Sequence, residues 1–178
     1  MSAEKTYSRN KIASNKTGNI ALCGILLALS AGISAAESLI PLPLGVKPGF
    51  SNLPVMYSMA RQSVKYGFAL CLLKSVFVLL TRGASAFFMS VSGGVLSYAA
   101  MLIIYKKTNA SLMLMSITGA LVHNFGQLCA ASIIMHTAVF GYSPVMIISG
   151  CIAGAATGSA LKLLTEAMTR TKHKQGGK

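Results

Sequence analysis

Aspartate is missing altogether from these 178 residues, and glutamate occurs three times, at Glu4, Glu37 and Glu166. Soluble surfaces mix charges of both signs, so a soluble domain with so few carboxylates would be out of character. Cysteine is sparse and scattered: Cys23, Cys71, Cys129 and Cys151 fall in four apolar segments with no CxxC spacing. That pattern supports neither a metal cluster nor a disulfide framework, and buried, inert thiols are expected. The chain lacks the Gly-x-Ser-x-Gly elbow of a serine hydrolase and the Gly-x-x-x-x-Gly-Lys loop that cradles nucleotide phosphates. No cleavable signal peptide is expected, because the segment 1–16 is polar and the first apolar run is too long for one.

What is present is hydrophobic and basic. Apolar residues make up 53% of the chain and charged ones 11%, with sixteen Lys and Arg giving a net charge of +13. The basic residues lie in small groups between apolar runs, without the basic–aromatic surface that nucleic acid requires. They read instead as topological signals and contacts to anionic lipid head groups. An all-α integral membrane protein follows, since a helix of about 20 apolar residues crosses the hydrocarbon layer.

The apolar runs predict a single six-span domain over residues 19–168, flanked by basic tails over 1–18 and 169–178. The first span runs from about Asn19 to Ile40 and ends at Pro41 and Pro43. The second, Phe50 to Ala60, contains Pro54 and is too short to cross as a straight helix. It reads as broken or re-entrant, which at membrane depth requires burial in protein or a cavity to line. Further spans are expected over 64–80, 86–105 and 111–136, with the sixth ending near Thr165. With the N-terminus in the cytoplasm, thirteen of the sixteen cations fall on the inner side, while Lys47 and Arg82 lie outside and Lys74 within a span. The positive-inside rule therefore predicts that both termini are cytoplasmic.

Two kinds of residue stand out within the spans. Gly24, Ala28, Gly32 and Ala36 recur every four residues along the first span, as do Gly150, Gly154 and Gly158 along the sixth. Such stripes let helices approach closely. They serve either packing within the bundle or, for the first span, docking of another membrane subunit. Gly93-Gly94 reads as a further intramolecular approach point. The other kind is polar. An unpaired Lys74 at mid-membrane costs roughly 2.5–3.5 kcal/mol on insertion scales, so it should face the interior or a wet cavity. Its neutralising partner is Glu37 or a bound anionic ligand, unless it is simply a structural charge. His123 and Gln127 share a helical face, with Asn124 beside it, for inter-helix hydrogen bonds or ligand contact. With no aspartate to orient the histidine, and His136 far along the helix, neither a catalytic nor a metal site is expected. Lys47 and Asn52, with Glu37 and Arg82, would form a polar rim over the bundle, suited to a small-molecule pocket that leans toward an anionic ligand.

The stretches Glu37-Ser-Leu-Ile-Pro-Leu-Pro, Gly45-Val-Lys-Pro-Gly-Phe-Ser-Asn, Ser92-Gly-Gly-Val-Leu-Ser and Gly119-Ala-Leu-Val-His-Asn-Phe-Gly-Gln carry a family likeness. The chain resembles the Gx transporter family, also called heptaprenyl diphosphate synthase component I, which is related to the substrate-binding S components of energy-coupling factor (ECF) transporters. It departs from that pattern at Lys74, where an arginine is expected, and at Pro48 and Pro54. The resemblance implies a six-helix S-component-like fold in a prokaryotic plasma membrane, with an outward-open ligand site. It also implies that Gly24, Ala28 and Gly32 dock on a transmembrane coupling subunit driven by ATPases, with no cofactor in the chain itself. The alternative is a membrane accessory of prenyl diphosphate or quinone synthesis. It would not be the catalytic subunit, because prenyl elongation holds magnesium with aspartate clusters.

Overall fold

In the computed structural model, the chain is described over residues 2–39, 49–107, 111–136 and 140–175, with side chains described from 16 to 163 except at 40–48, 61, 108–110 and 137–140. Helices account for nearly all of it: α1 (Ser2–Glu37), α2 (Leu53–Arg61), α3 (Val64–Arg82), α4 (Ala84–Lys107), α5 (Leu112–Met135) and α6 (Ser143–Gln175). Five of these contain stretches long and apolar enough to cross a bilayer: Lys16–Glu37, Val64–Arg82, Ala84–Lys107, Leu112–Met135 and Ser143–Leu163. The sixth, α2, is a nine-residue helix introduced by a 3-10 turn at Phe50–Asn52, the short second element expected from the sequence. Pro54 falls in its first turn. There the missing N–H has no helical partner to lose, so the proline starts this helix instead of breaking it.

Helix limits follow local chemistry. Ser63 and Ser111 cap α3 and α5 by accepting from Lys65 N and Leu114 N. Gly83 (φ 86°) closes α3 in a backbone shape that few side chains tolerate and turns the chain directly into α4. At the other extreme, α1 and α6 continue as helix through the segments expected to be polar tails. Gln62 Nε2 donates to Asn19 O, and a Cβ on Gly158 would sit 2.9 Å from Met113 Cα. These contacts gather the ends bearing Lys16, Lys65, Lys107 and Lys162 at one pole of the bundle, with Glu37 and Arg82 toward the other.

Packing depends on missing side chains. A Cβ on Gly154 would lie 2.6 Å from Ile117 Cα, and one on Gly126 would lie 2.8 Å from Gly93 Cα. The backbones of α4, α5 and α6 are therefore in close contact, and serines use that proximity. Ser97 Oγ donates to Gly119 O at 2.7 Å and Ser92 Oγ to Gly126 O at 2.9 Å, joining α4 to α5, while Ser116 and Thr157 pair across α5 and α6. Such bonds matter where lipid offers no competing partner. The stripe on α1 behaves differently. Gly24, Ala28, Gly32 and Ala36 are all exposed, and a Cβ on Gly24 or Gly32 would meet nothing within 4 Å. The outward faces elsewhere carry large apolar side chains such as Ile25, Leu80, Phe88, Ile133 and Leu163, as lipid contact requires.

One apolar cluster (Leu26, Val55, Met56, Met59, Leu70, Tyr98, Met101, Met115, Leu161) fills the lysine-rich half, and a smaller one (Leu128, Ala131, Met146, with Met89) the opposite half. The cysteines correct the sequence expectation. All four are free thiols, but only Cys71 is buried, Cys23 and Cys129 are half-buried, and Cys151 is exposed. The seam predicts a clear asymmetry. Gly154→Ala should lower the unfolding temperature in detergent by an amount equivalent to about 1–3 kcal/mol of overpacking. Gly24→Ala, adding a methyl to an open helix face, should leave it unchanged or raise it.

Candidate functional site

Between the two apolar clusters lies a polar layer that begins on α1. Ser30, Ser34 and Glu37 recur at helical spacing on the face opposite the small-residue stripe, and all three are buried. They meet the chain returning at Gly49, whose left-handed backbone (φ 98°) starts the 3-10 turn close to the His123 ring. Ser30 Oγ donates to Ser51 O at 2.7 Å, and Ser51 N donates to Glu37 Oε1 at 3.3 Å. The turn is thus clamped to α1 on both backbone groups of one serine. Glu37 is only 3% exposed, and its second oxygen, Oε2, has no hydrogen-bond partner.

Lys74 enters the same layer from α3 and is 4% exposed. Its Nζ donates to Asn52 Oδ1 at 2.7 Å. Glu37, considered from the sequence as a neutralising partner, makes no hydrogen bond to the ammonium and acts on it only through space. A neutral amide, rather than the carboxylate, therefore meets the cation. Asn52 Nδ2 has no hydrogen-bond partner of its own. From α5, His123 (2% exposed) and Gln127 complete the wall, with His123 Nε2 and Gln127 Nε2 3.0 Å apart. Gly93 makes this possible, because a Cβ there would strike His123 O at 2.7 Å and Gln127 Cγ at 2.9 Å.

Part of this layer encloses a cavity lined by Ser34, Ser51, Lys74, Val78, Arg82, Ala86, Met89, Ser90, His123 and Gln127. Its volume is about 20 Å³, room for roughly one water. Arg82 is exposed at its rim. Of the residues singled out from the sequence, Lys74, Arg82, His123 and Gln127 line this space; Glu37 reaches it only through Ser51, and Asn52, though bonded to Lys74, lines a separate small cavity with Gly49, Met101 and Gly119. Asn124 does not line it either. Its Nδ2 donates to Met146 O at 2.8 Å, and it borders a separate apolar cavity of about 80 Å³ between α5 and α6. Lys47 lies outside the described residues. The sequence reading missed Ser34, Ser51 and Ser90; the spacing of Ser30, Ser34 and Glu37 was the available signal. Among the described residues, no group of three His, Cys, Asp or Glu side chains is placed to hold a metal.

An all-helical bundle with five long apolar spans, lipid-facing apolar sides and an ionisable cluster in its interior defines a multi-pass membrane protein. The family model for heptaprenyl diphosphate synthase component I matches residues 26–164, well over half of the chain, and the protein belongs to that family. No curated protein and no solved structure matches it.

Removal of the Asn52 amide tests the electrostatic account. Asn52→Ala should destabilise the bundle by about 1.5–3 kcal/mol, the usual contribution of a hydrogen bond to a charged group. Adding Lys74→Met should recover part of that loss, a coupling readable by thermal unfolding of the four variants in one detergent.

Proposed function

We propose that this protein is a membrane-embedded substrate-capture subunit, resembling the S components of ECF transporters, for uptake of a small molecule. The observation that carries this reading is the buried group Lys74, His123 and Gln127 lining one cavity, with the buried Glu37 holding the Ser51 N–H beside it. Ionisable groups at membrane depth are expensive, so such a cluster marks a ligand or ion site by default. The apolar and small residues elsewhere account for the fold without it. Lysines gathered at one pole favour a plasma-membrane orientation with both termini cytoplasmic and the Arg82 end of the cavity toward the outer face.

Energy has to come from elsewhere, since the sequence has no nucleotide-binding loop. The exposed stripe Gly24, Ala28 and Gly32 supports docking of α1 on a transmembrane coupling subunit that is itself driven by ATPases. On this reading the purified chain retains its ligand without ATP, and replacing Gly24, Ala28 and Gly32 together with leucine abolishes co-purification of the coupling subunit while leaving ligand retention intact. Undiminished co-purification would rule out this docking face. Lys74→Met should weaken ligand retention about tenfold or more, the loss expected for a charge-assisted contact; unchanged retention in a folded variant would make Lys74 a purely structural charge.

The family description supports a second reading, a membrane accessory of prenyl diphosphate or quinone synthesis. A chain without aspartate has no Asp-rich cluster to hold magnesium against a diphosphate, so the role would be non-catalytic. It predicts a stable complex with a soluble prenyl synthase, and loss of that synthase's activity when this chain is deleted.

A further inference from the structure

We infer that the cavity takes a singly charged organic acid, with its carboxylate on the Lys74 ammonium and an apolar stem lying along α3 toward Arg82. This rests on the reading of the cavity as a capture site and names the class of molecule captured. Lys74, Val78 and Arg82 recur every four residues on α3, so they share one helical face, and all three line the cavity. At a rise of about 1.5 Å per residue, the two cations start about 12 Å apart along the helix. The wall between them is apolar, with Val78 from α3 and Ala86 and Met89 from α4. None of the lining residues is acidic.

The deep end offers the stronger recognition point. Lys74 is 4% exposed, and an ammonium carries three N–H donors. Among the described residues its hydrogen-bond partner is Asn52 Oδ1 alone. Two donors are left over, and buried donors without acceptors are costly. A carboxylate brings two oxygens to them on a small, flat head, which suits a cavity of about 20 Å³. The charges set the number of acidic groups. Lys74 and Arg82 are positive, and Glu37, acting on Lys74 through space, is negative. One positive charge therefore remains among these three, and one carboxylate cancels it. A doubly charged phosphate would leave negative charge uncompensated away from water. Arg82, exposed at the rim, steers the acid toward the opening. Because the present space holds roughly one water, entry of the stem requires the side chains around the cavity to move apart.

The test uses the full-length chain in detergent, incubated without ATP with a low-molecular-weight cell extract; retained compounds are identified by mass spectrometry. Two further portions of the extract are modified beforehand, one with phosphatase and one by carbodiimide coupling of its carboxylates to methylamine. The expected result is retention of a compound with a single carboxylate on an apolar stem, unaffected by phosphatase and abolished by amide formation. Lys74→Met should lower that retention about tenfold or more, and Lys74→Arg, which keeps the charge, should restore most of it. Arg82→Gln, at the exposed rim, tests the charge count independently of the buried lysine: retention should weaken and lose most of its dependence on salt. Loss of retention after phosphatase, its persistence after amide formation, or a retained compound with two or more acidic groups overturns the inference while the capture reading stands. Retention by Arg82→Gln that equals that of the unmodified chain at every salt concentration overturns it too. If the untreated extract leaves nothing bound, both fall together.

Discussion

A lysine ammonium held away from water by the amide of Asn52 is the constraint around which the rest of the molecule is arranged. A cation at the middle of a membrane span is tolerated only where polar partners replace its hydration. Those partners come from a stretch of chain too short to cross the membrane itself. The 3-10 turn at Phe50–Asn52 reaches Lys74 because Ser30 and Glu37 grip Ser51 from α1. Irregular backbone at this depth is otherwise unaffordable, and here its polar groups are met inside the protein. The short α2 is therefore a consequence of the site rather than an imperfect span.

The second organising feature is a division of labour between two small-residue seams. On α6, glycines bring its backbone against α5, and on α4 Gly93 admits His123 and Gln127 to the cavity wall. Without that contact the polar layer would have no third side. On α1 the same kind of stripe faces outward, while the opposite face carries Ser30, Ser34 and Glu37 inward. One helix thus presents a surface to the membrane and a polar stripe to the site, two functions separated by half a helical turn.

Much of this was legible before any coordinates. Missing carboxylates and long apolar runs indicate a membrane bundle, and Pro54 with its neighbours marks the short second element. The interior position of Lys74 follows from its place midway along an apolar span. Its partner does not. Asn52 and Glu37 are both polar and both near the same end of the bundle, and only the clamp on Ser51 decides which one the ammonium reaches. Likewise His123, Asn124 and Gln127 look alike on a helical wheel, but the close approach of α6 turns Asn124 to Met146 and leaves the other two to the cavity. Whether a glycine stripe is filled or open is also invisible to spacing, since the periodicity is the same on α1 and α6.

The order of the chain adds a consequence for how the bundle is built. Synthesis proceeds from the N-terminus, so Glu37 and Asn52 are made before Lys74. The ammonium can therefore enter the bilayer with its amide already waiting, provided that α2 and α3 insert together as one hairpin. Placed after the lysine, the same asparagine would leave a bare charge stranded in the insertion pathway until the partner emerged. The sequence position of Asn52 is then a feature of biogenesis as much as of the finished site.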